Sequence, residues 1–446
     1  MPQAITRIGG SDHHRQAISV GLVLLTMLGV YAITAGVSLG RPSLAPHFVY
    51  LADAFLHGQL HLRHVPDPPY DLTAFDGRWY VSFPPLPAAL MAPVVAIRGL
   101  AVSDIAVSVA IGACAVALFY ALLIRLESRP NTRRWLTLLL GMGTPLWYCA
   151  ALGSVWFSAH VVAVMCLCLY LLEVIGQNRP WWVGFWLGMG FLARAPVLLA
   201  FPLSLAMGLD ATLESGWRAA WRSNRKNWKA NARFVCLLGL GLAPALLGQA
   251  LYNQLRFGAP WEFGYRWMNS PDALLTRQEQ WGQFSLHFWP ENVYTMLVRP
   301  PIVSGPPLSL TPDPWGMGLL FTTPVLVLML TTLPAQMRHR RLAIGLWLSI
   351  LLVQLPSSLY FNTGSFQFGY RFALDWLPMG LLLIALGIRE GERRLPAWGK
   401  ALILVSIGMH LWGVLWMYPT FNGQPWHQQY VRWGAQLLRS IVALFD

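Results

Sequence analysis

The sequence predicts an all-α polytopic membrane protein with about eleven transmembrane helices. Of its 446 residues, 55% are hydrophobic and only 11% are charged, whereas a soluble domain carries about 25% charged residues. The apolar residues also fall into runs long enough to cross a bilayer, which takes about 20 residues per helix. The 22 tryptophans suit a protein with many aromatic anchors at the boundary between lipid and water.

The formal charge of +13 is arranged as short basic clusters between apolar runs. This arrangement follows the positive-inside rule, so we expect cytoplasmic loops here and no nucleic-acid partner. With the N-terminus inside, every dense cluster is cytoplasmic, and the opposite orientation would export all of them. The clusters are Arg125–Arg134, Arg179, Arg218–Arg233, Arg338–Arg341, and Arg389–Arg394 with Lys400.

Apolar runs interrupted by charge, proline and glycine define the individual spans. The first run is too long for a cleaved signal peptide and lacks a convincing cleavage site, so we predict that it is a span. The predicted spans are 17–39, 101–124, 135–151, 155–176, 180–193, 197–208, 233–254, 316–335, 342–360, 372–388 and 397–418.

The division between 180–193 and 197–208 depends on one arginine. A single long helix over 180–208 would place Arg194 near mid-bilayer, at a cost of roughly 3 kcal/mol. It would also export the basic cluster at 218–233. We therefore predict a break at Arg194-Ala195-Pro196, where two short helices meet at the outer face and present Arg194 there.

Residues 1–418 form one predicted transmembrane domain with two large outer segments. The first, 40–100, contains predicted membrane-surface helices at 47–57 and 86–98, and the second is 255–315. In the first surface helix, Phe48, Leu51, Ala52 and Phe55 form an apolar stripe, with Asp53 and His57 away from it. Residues 209–232 form a basic cytoplasmic loop. The tail 419–446 lies outside the cell and is predicted to end in an amphipathic helix around 429–444.

Three motifs lie at the predicted outer face, two of them in the first outer segment. The first is a helix ending in glycine (HFVYLADAFLHGQL, 47–60), and the second is a Gly-aromatic-Pro-Pro-Leu element (GRWYVSFPPLP, 77–87). The third is an outer-face arginine after a glycine-rich half-helix (GMGFLARAP, 188–196). Together with the span count and the large first outer loop, they resemble the GT-C superfamily of glycosyltransferases, which includes protein O-mannosyltransferases and lipid A aminoarabinose transferases.

The resemblance implies an inverting transfer of a sugar from a polyprenyl-phosphate carrier to an acceptor hydroxyl at the outer face. The superfamily has a catalytic acidic residue soon after its first span, but residues 40–50 contain no carboxylate here. Ser82-Phe83 stands where the superfamily has a lysine before the Pro-Pro pair. The base and one phosphate contact must therefore come from other positions.

Such a reaction needs one carboxylate to take the acceptor proton and a basic group to hold the departing phosphate. The candidate bases are Asp53, Asp71 and Asp76, although the last two also suit turns. The candidate phosphate ligands are Arg194, Arg371, Arg78 and Arg256.

Each basic candidate also has an ordinary structural explanation. Arg194 could snorkel to lipid headgroups, and Arg371 could form an internal salt bridge with Asp375 one turn later. Arg78 and Arg256 could simply order loops. The residues predicted to support the site or to contact the acceptor are His47, His160, Glu262, Tyr265 and Asp375.

We expect no metal ion and no cofactor beyond the donor, because the outer carboxylates and histidines lack ligand spacing. The five cysteines all lie in or beside apolar runs, so they indicate small hydrophobic residues and no disulfide framework. The expected partners are a polyprenyl-phosphate sugar, the bilayer, and a glycan, lipid or protein acceptor. The expected location is the bacterial inner membrane.

Three other classes remain open at this point. A flippase or transporter would place charges along a central path, and often has repeated halves. An O-antigen-type polymerase or ligase of lipid-linked glycans would share the lipid-phosphate chemistry. A membrane scaffold without catalytic activity is the fourth possibility.

Overall fold

The part of the chain that the structure describes is mainly helical, with two short β-hairpins in the outer segments. The computed structural model describes residues 10–209, 227–305, 309–332, 339–390 and 394–422. Six of the described helices are long and apolar enough to cross a membrane. The predicted all-α polytopic membrane architecture is therefore confirmed.

The described elements alternate between long apolar helices and shorter outer elements. Those of the first half are α1 (Gly10–Ala35), α2 (His47–Leu56), β1 (Thr73–Phe75), β2 (Arg78–Tyr80), α3 (Leu86–Arg98), α4 (Asp104–Arg125), α5 (Pro130–Met142), α6 (Leu146–Leu152), α7 (Val155–Ile175), α8 (Pro180–Ala193) and α9 (Phe201–Gly208). Those of the second half are α10 (Trp228–Phe257), α11 (Asp272–Trp281), α12 (Trp289–Leu297), β3 (Ile302–Ser304), β4 (Ser309–Thr311), α13 (Leu319–Thr322), α14 (Arg340–Leu359), α15 (Leu377–Glu390) and α16 (Ala397–Asn422).

The number of spans differs from the prediction of about eleven. Helices α1, α4, α7, α10, α14 and α16 satisfy the length and hydropathy expected of a span. A seventh is obtained if α5 and α6 together cross the membrane as one helix bent by 50°. The other predicted spans correspond to shorter or irregular helical segments, so the count of eleven is not confirmed.

Proline and glycine explain where the predicted spans are interrupted. The bend between α5 and α6 falls at Gly143-Thr144-Pro145, because proline cannot supply the backbone donor that a continuous helix needs. The predicted span 316–335 is replaced by one helical turn, α13, and a 3-10 helix over Pro324–Thr332. Here Pro324 follows Thr323, whose φ of −141° is not helical.

The predicted break at Arg194 is present. Helix α8 ends at Ala193, Arg194 is extended (φ −151°, ψ 118°), and a 3-10 helix over Ala195–Ala200 leads into α9. Pro196 stands in the first turn of this 3-10 helix, and it would interrupt a continuous helix because it has no backbone N–H to donate to the preceding turn.

Helix α7 is the centre of the described helical part. It packs against α4 and α8, and α8 in turn packs along α10. Most side chains of α7 are buried, including its cysteines Cys166 and Cys168, which are free thiols within the apolar core.

The first outer segment contains both predicted helices, as α2 and α3, with the hairpin β1–β2 between them. The hairpin pairs Thr73 with Tyr80 and Phe75 with Arg78, around a turn of Asp76 and Gly77 that both have positive φ. Two residues with positive φ are typical of a type I′ hairpin turn. The segment is anchored to α4, because the Asp104 carboxylate accepts hydrogen bonds from the backbone and side chain of Ser43.

The second outer segment packs onto the first segment and onto the end of α14. Met268 forms an antiparallel bridge with Thr73, and the Asn269 amide donates to the Leu72 carbonyl at 2.8 Å. Further along, the Ser285 amide donates to the Leu359 carbonyl at 2.9 Å, and Phe284 forms a bridge with Tyr360. Three stretches distant in sequence therefore meet on one side of the helical part.

Two predictions lie outside the described residues, at least in large part. Residues 210–226 of the basic cytoplasmic loop predicted at 209–232 are outside them. The same holds for residues 423–446, which include the amphipathic helix predicted around 429–444.

Candidate active site

A half-open cavity of about 610 Å³ lies where the outer segments meet the helices. The loops contribute polar lining residues that include Asp71, Ser270, Gln283 and Asn362. The lining residues from the helical segments are mainly apolar. They include Ala193, Pro196, Leu198, Leu199 and Phe372. The structure brings five of the predicted site residues to this cavity, namely Asp71, Arg194, Glu262, Tyr265 and Arg371.

Asp71 is held by two hydrogen bonds from other parts of the chain. The Trp156 indole nitrogen donates to its Oδ2 at 2.7 Å, and the Ser270 hydroxyl donates to its Oδ1 at 3.1 Å. Its backbone has a positive φ of 51°, a conformation that aspartate tolerates in turns. Burial raises the pKa of Asp71, while the two hydrogen bonds and the charge of Arg371 oppose that rise.

Arg194 is engaged in a buried ion pair. Its Nε lies 3.0 Å from both carboxylate oxygens of Asp375, and its Nη2 lies 2.9 Å from Oδ2. The same carboxylate is 3.1 Å from Nδ1 of His160, which also stacks on Phe372. The internal salt bridge considered between Arg371 and Asp375 is therefore absent, because Asp375 pairs with Arg194 instead.

Arg371 lies at the same cavity without a carboxylate partner among the described residues. Its Nη1 donates to the carbonyl of Gly364 and, at 3.4 Å, to Gln367, while its Nε has no hydrogen-bond partner in the described part. The residue is only 6% exposed, and its guanidinium lies 5.2 Å from the centre of the Phe372 ring. A buried cation in this situation is costly unless an anion joins it.

Two tyrosines and one glutamate add further polar groups to the lining. Tyr265 and Tyr360 both reach the cavity, and burial raises the pKa of each hydroxyl, so both stay protonated as potential donors. The Glu262 carboxylate is already occupied, since it accepts from the Gly264 amide at 2.7 Å and pairs with Arg266 at 3.1 Å.

Asp53 lies away from the cavity and is not on a solvated helix face as expected. It is 9% exposed, and its carboxylate pairs with Arg63 at 3.2 Å. Asp53 is covered because the residues that follow α2, including Arg63, turn back over the helix. The carboxylate thus ties α2 to the following loop.

The other two loop candidates, Asp76 and Arg78, are exposed on the β1–β2 hairpin and do not line the cavity. Arg256 is buried at the end of α10 and also outside the cavity lining. Its guanidinium donates to the Val81 carbonyl at 2.7 Å and to Asn253 at 2.9 Å, and it covers the Tyr252 ring at 3.7 Å. These contacts make Arg256 an anchor between α10 and the first outer segment.

The two predicted histidines lie behind the cavity lining. His47 contacts the Tyr70 carbonyl through Nε2 at 2.6 Å, and burial lowers its pKa to about 4, so it is neutral near pH 7. Its ring meets that of Trp156 edge-on at 6.3 Å. His160 supports Asp375 as described above.

Sequence reasoning did not identify Trp156, Ser270, Tyr360 or Asn362 as site residues. Trp156 carried one weak signal, as an aromatic side chain at the outer start of a predicted span. The other three lie outside the regular helices, and no local sequence pattern indicates that they reach the cavity. Within the described residues, no group of three or more His, Cys, Asp or Glu side chains could hold a metal ion.

No family model and no curated protein matches the sequence. Solved structures with a similar course of the chain include ArnT from Cupriavidus metallidurans bound to undecaprenyl phosphate. It is 13% identical, with a TM-score of 0.48, over 89% of this chain and 64% of that chain. The same ArnT in the apo state is 15% identical, with a TM-score of 0.44, over 86% and 62%.

A further similar structure is the archaeal oligosaccharyltransferase AglB from Archaeoglobus fulgidus, in complex with an inhibitory peptide and a dolichol-phosphate. It is 12% identical, with a TM-score of 0.47, over 89% of this chain and 55% of that chain. This chain therefore spans less than two thirds of the length of these proteins. At 12–15% identity, the likeness to these three structures lies in the course of the chain alone.

Proposed function

We propose that this protein is an inverting glycosyltransferase that moves a sugar from a polyprenyl-phosphate carrier to an acceptor hydroxyl. The observation that supports it most is the buried Arg371, which lacks a carboxylate partner among the described residues and lines the same cavity as Asp71. A phosphate supplies the missing anion, and guanidinium can bind phosphate with two parallel hydrogen bonds.

In the proposed reaction, Asp71 is the general base. The acceptor oxygen forms a bond to the anomeric carbon while the bond from that carbon to the phosphate oxygen breaks. The acceptor proton passes to the Asp71 carboxylate, and the electron pair of the broken bond leaves with the phosphate. One displacement inverts the anomeric centre and needs a single base.

The charges around the cavity favour a donor with one phosphate. Arg194 is neutralised by Asp375, and Glu262 is paired with Arg266, so Arg371 is left to bind the departing group. Because the Asp71 carboxylate also faces Arg371, the single charge of a sugar phosphodiester leaves the cavity with one net negative charge. A pyrophosphate-linked donor, as in the polymerase or ligase alternative, would leave it with still more negative charge.

The lining residues also suit the two ends of such a donor. Leu198, Leu199 and Phe372 offer an apolar wall to the first isoprene units, and the Tyr265 and Tyr360 hydroxyls can bond to the sugar. We place this site on the non-cytoplasmic side of a bacterial inner membrane, because the basic clusters belong to the opposite side. The acceptor is a glycan, lipid or protein hydroxyl.

The first prediction concerns loss of transfer in purified protein reconstituted in liposomes. A panel of undecaprenyl-phosphate sugars serves as donors, and release of undecaprenyl phosphate with acceptor present is measured. Asp71→Asn and Arg371→Gln should each reduce turnover at least about 100-fold, because they remove the base and the ligand of the leaving group.

Matched controls are Asp272→Asn and Arg98→Gln, two exposed outer residues away from the cavity, which should retain wild-type turnover. Arg194 is a poorer test, because its loss would leave the buried Asp375 charge unpaired. Wild-type turnover in both Asp71→Asn and Arg371→Gln would reject the proposed site. Loss in Asp53→Asn or Asp76→Asn, with Asp71→Asn active, would reassign the base.

A further inference from the structure

The carboxylate of Asp71 accepts hydrogen bonds from two distant parts of the chain. Trp156 lies 85 residues after Asp71, at the start of α7, and Ser270 lies 199 residues after it, in the second outer segment. Each donor takes a different oxygen. A carboxylate has about four lone-pair positions, so this arrangement fixes its orientation and still leaves positions free toward the cavity.

Both donors are themselves held in place. The Trp156 ring meets His47 edge-on at 6.3 Å and Phe421 at 6.4 Å, so it is enclosed between α2 and α16. Ser270 follows Asn269, whose backbone exchanges hydrogen bonds with Asp71 and Leu72 at 3.0 and 2.8 Å. The position of each donor is therefore set by backbone pairing or by ring packing, and not by Asp71 alone.

We infer that Trp156 and Ser270 are positioning residues for the base, which orient the Asp71 carboxylate toward the cavity and keep it ionised. The inference rests on the proposed function, because that proposal assigns Asp71 the role of general base. Its structural part, control of the ionisation of Asp71, can be measured without any sugar transfer.

The charged and titratable groups around Asp71 determine how its pKa changes when one hydrogen-bond donor is removed. Arg371 faces it with a positive charge, Tyr265 and Tyr360 face it as protonated hydroxyls, and His47 behind Trp156 is neutral near pH 7. Burial favours the protonated acid, and the donors favour the carboxylate. Without one donor, burial is less opposed, so the pKa of Asp71 rises and more alkaline pH is needed to ionise it.

The second prediction uses the binding of polyprenyl methyl phosphate, a diester that keeps one negative charge between about pH 4 and about pH 9. Because Asp71 lines the cavity in which the diester is proposed to bind, ionisation of Asp71 should weaken binding and produce a break in a plot of log Kd against pH. Trp156→Phe, which keeps an aromatic ring but loses the N–H donor, should move this break upward by about one pH unit. Ser270→Ala should move it in the same direction.

Two control variants separate positioning from general damage. Ser270→Thr keeps the hydroxyl and should keep the wild-type break. Trp147→Phe loses a buried indole hydrogen bond of similar length, 3.0 Å to Thr34, but lies away from the cavity and should leave the break unmoved. Asp71→Asn should abolish the break altogether, which assigns it to this residue.

Each result decides between the possibilities. A wild-type break in both Trp156→Phe and Ser270→Ala would overturn the inference while leaving the anion site of the proposed function intact. A break that persists in Asp71→Asn would overturn it as well. If the wild-type protein bound no diester at any pH, the proposed anion site would fail and the inference would fail with it. If Trp156→Phe does not fold, Ser270→Ala against Ser270→Thr decides.

Discussion

Asp375 joins two basic side chains, and this makes it the most demanding residue for stability near the site. It is only 1% exposed, pairs with Arg194 at 2.9 Å and contacts His160 at 3.1 Å. Removing one partner of a buried ion pair leaves the other charge uncompensated, which costs about 3–5 kcal/mol. The pair thus holds α8, α7 and the start of α15 in one arrangement.

The third prediction follows from this ion pair. Asp375→Asn should lower the free energy of unfolding by about 3–5 kcal/mol, measured by titrating SDS into detergent micelles. The control is Glu127→Gln, which removes the carboxylate of another arginine pair at the same 2.9 Å distance from Arg389. Glu127 is 75% exposed, so that loss should stay below about 1 kcal/mol. Equal losses of unfolding free energy in the two variants would show that burial does not increase the contribution of the Asp375–Arg194 pair to stability.

At the residue scale, the sequence identified the charged members of the cavity better than their partners. Arg194 could be identified because a guanidinium inside an apolar run is costly in a bilayer. Asp71 remained one of three candidate bases, because nothing local separates it from Asp53 or Asp76. Its identity as a cavity residue depends on Trp156 and Ser270, which reach it only after the distant segments have folded together. Such contacts leave no spacing pattern in the sequence.

At the scale of helices, close packing of α8 on α10 sets the position of Arg194. Small residues repeat four apart on both helices, as Gly184 and Gly188 on α8 and Gly241 and Ala245 on α10. A Cβ atom on Gly241 would collide with the carbonyl oxygen of Trp181, so the two backbones touch there. This small-xxx-small arrangement is a common means of close helix packing in membranes.

The fourth prediction is that Gly241→Ala separates α8 from α10. The added methyl group has no space, so the free energy of unfolding should fall by about 1–3 kcal/mol, measured by the same SDS titration. Gly239→Ala is the matched control on the same helix, because its Cβ would meet no atom within 4 Å. That variant should be neutral or more stable by up to about 1 kcal/mol, since alanine favours helices. A similar loss in both would contradict the packing argument.

The positions of the helical segments were easier to predict than their lengths and regularity. Each long apolar run is helical, since lipid requires backbone hydrogen bonds to be satisfied within the segment. The 3-10 course of Pro324–Thr332 was missed, because apolar composition alone does not distinguish a regular helix from a helical segment packed in an irregular form. Burial of Asp53 on α2 was missed as well, because the amphipathic stripe of this helix gave no sign of the loop that covers its polar side.

At the scale of the whole molecule, the cavity and the basic loops lie at opposite ends of one central helix. Trp156, at the start of α7, contacts Asp71, while Gly176, just after its end, lies against the Arg125 guanidinium. A helix of this length spans about 30 Å, which is the thickness of the hydrocarbon core. The same end of the molecule contains the pair between Arg389 and Glu127.

The fifth prediction turns this arrangement into a test of membrane orientation. Ala74, on the outer hairpin, and Gln177, in the loop after α7, are both exposed and can be replaced singly by cysteine. The background should lack the accessible native thiols, through Cys114→Ala and Cys236→Ala, whereas the other cysteines are buried. A membrane-impermeant maleimide should label Ala74→Cys in intact bacterial cells and Gln177→Cys only after the membrane is opened. This follows because the positive-inside rule retains the loops around Arg125, Arg179 and Arg389 in the cytoplasm. The reverse pattern would place the cavity in the cytoplasm and remove the argument for an outward-facing transferase. Labelling of both positions in intact cells would show that α7 does not cross the bilayer.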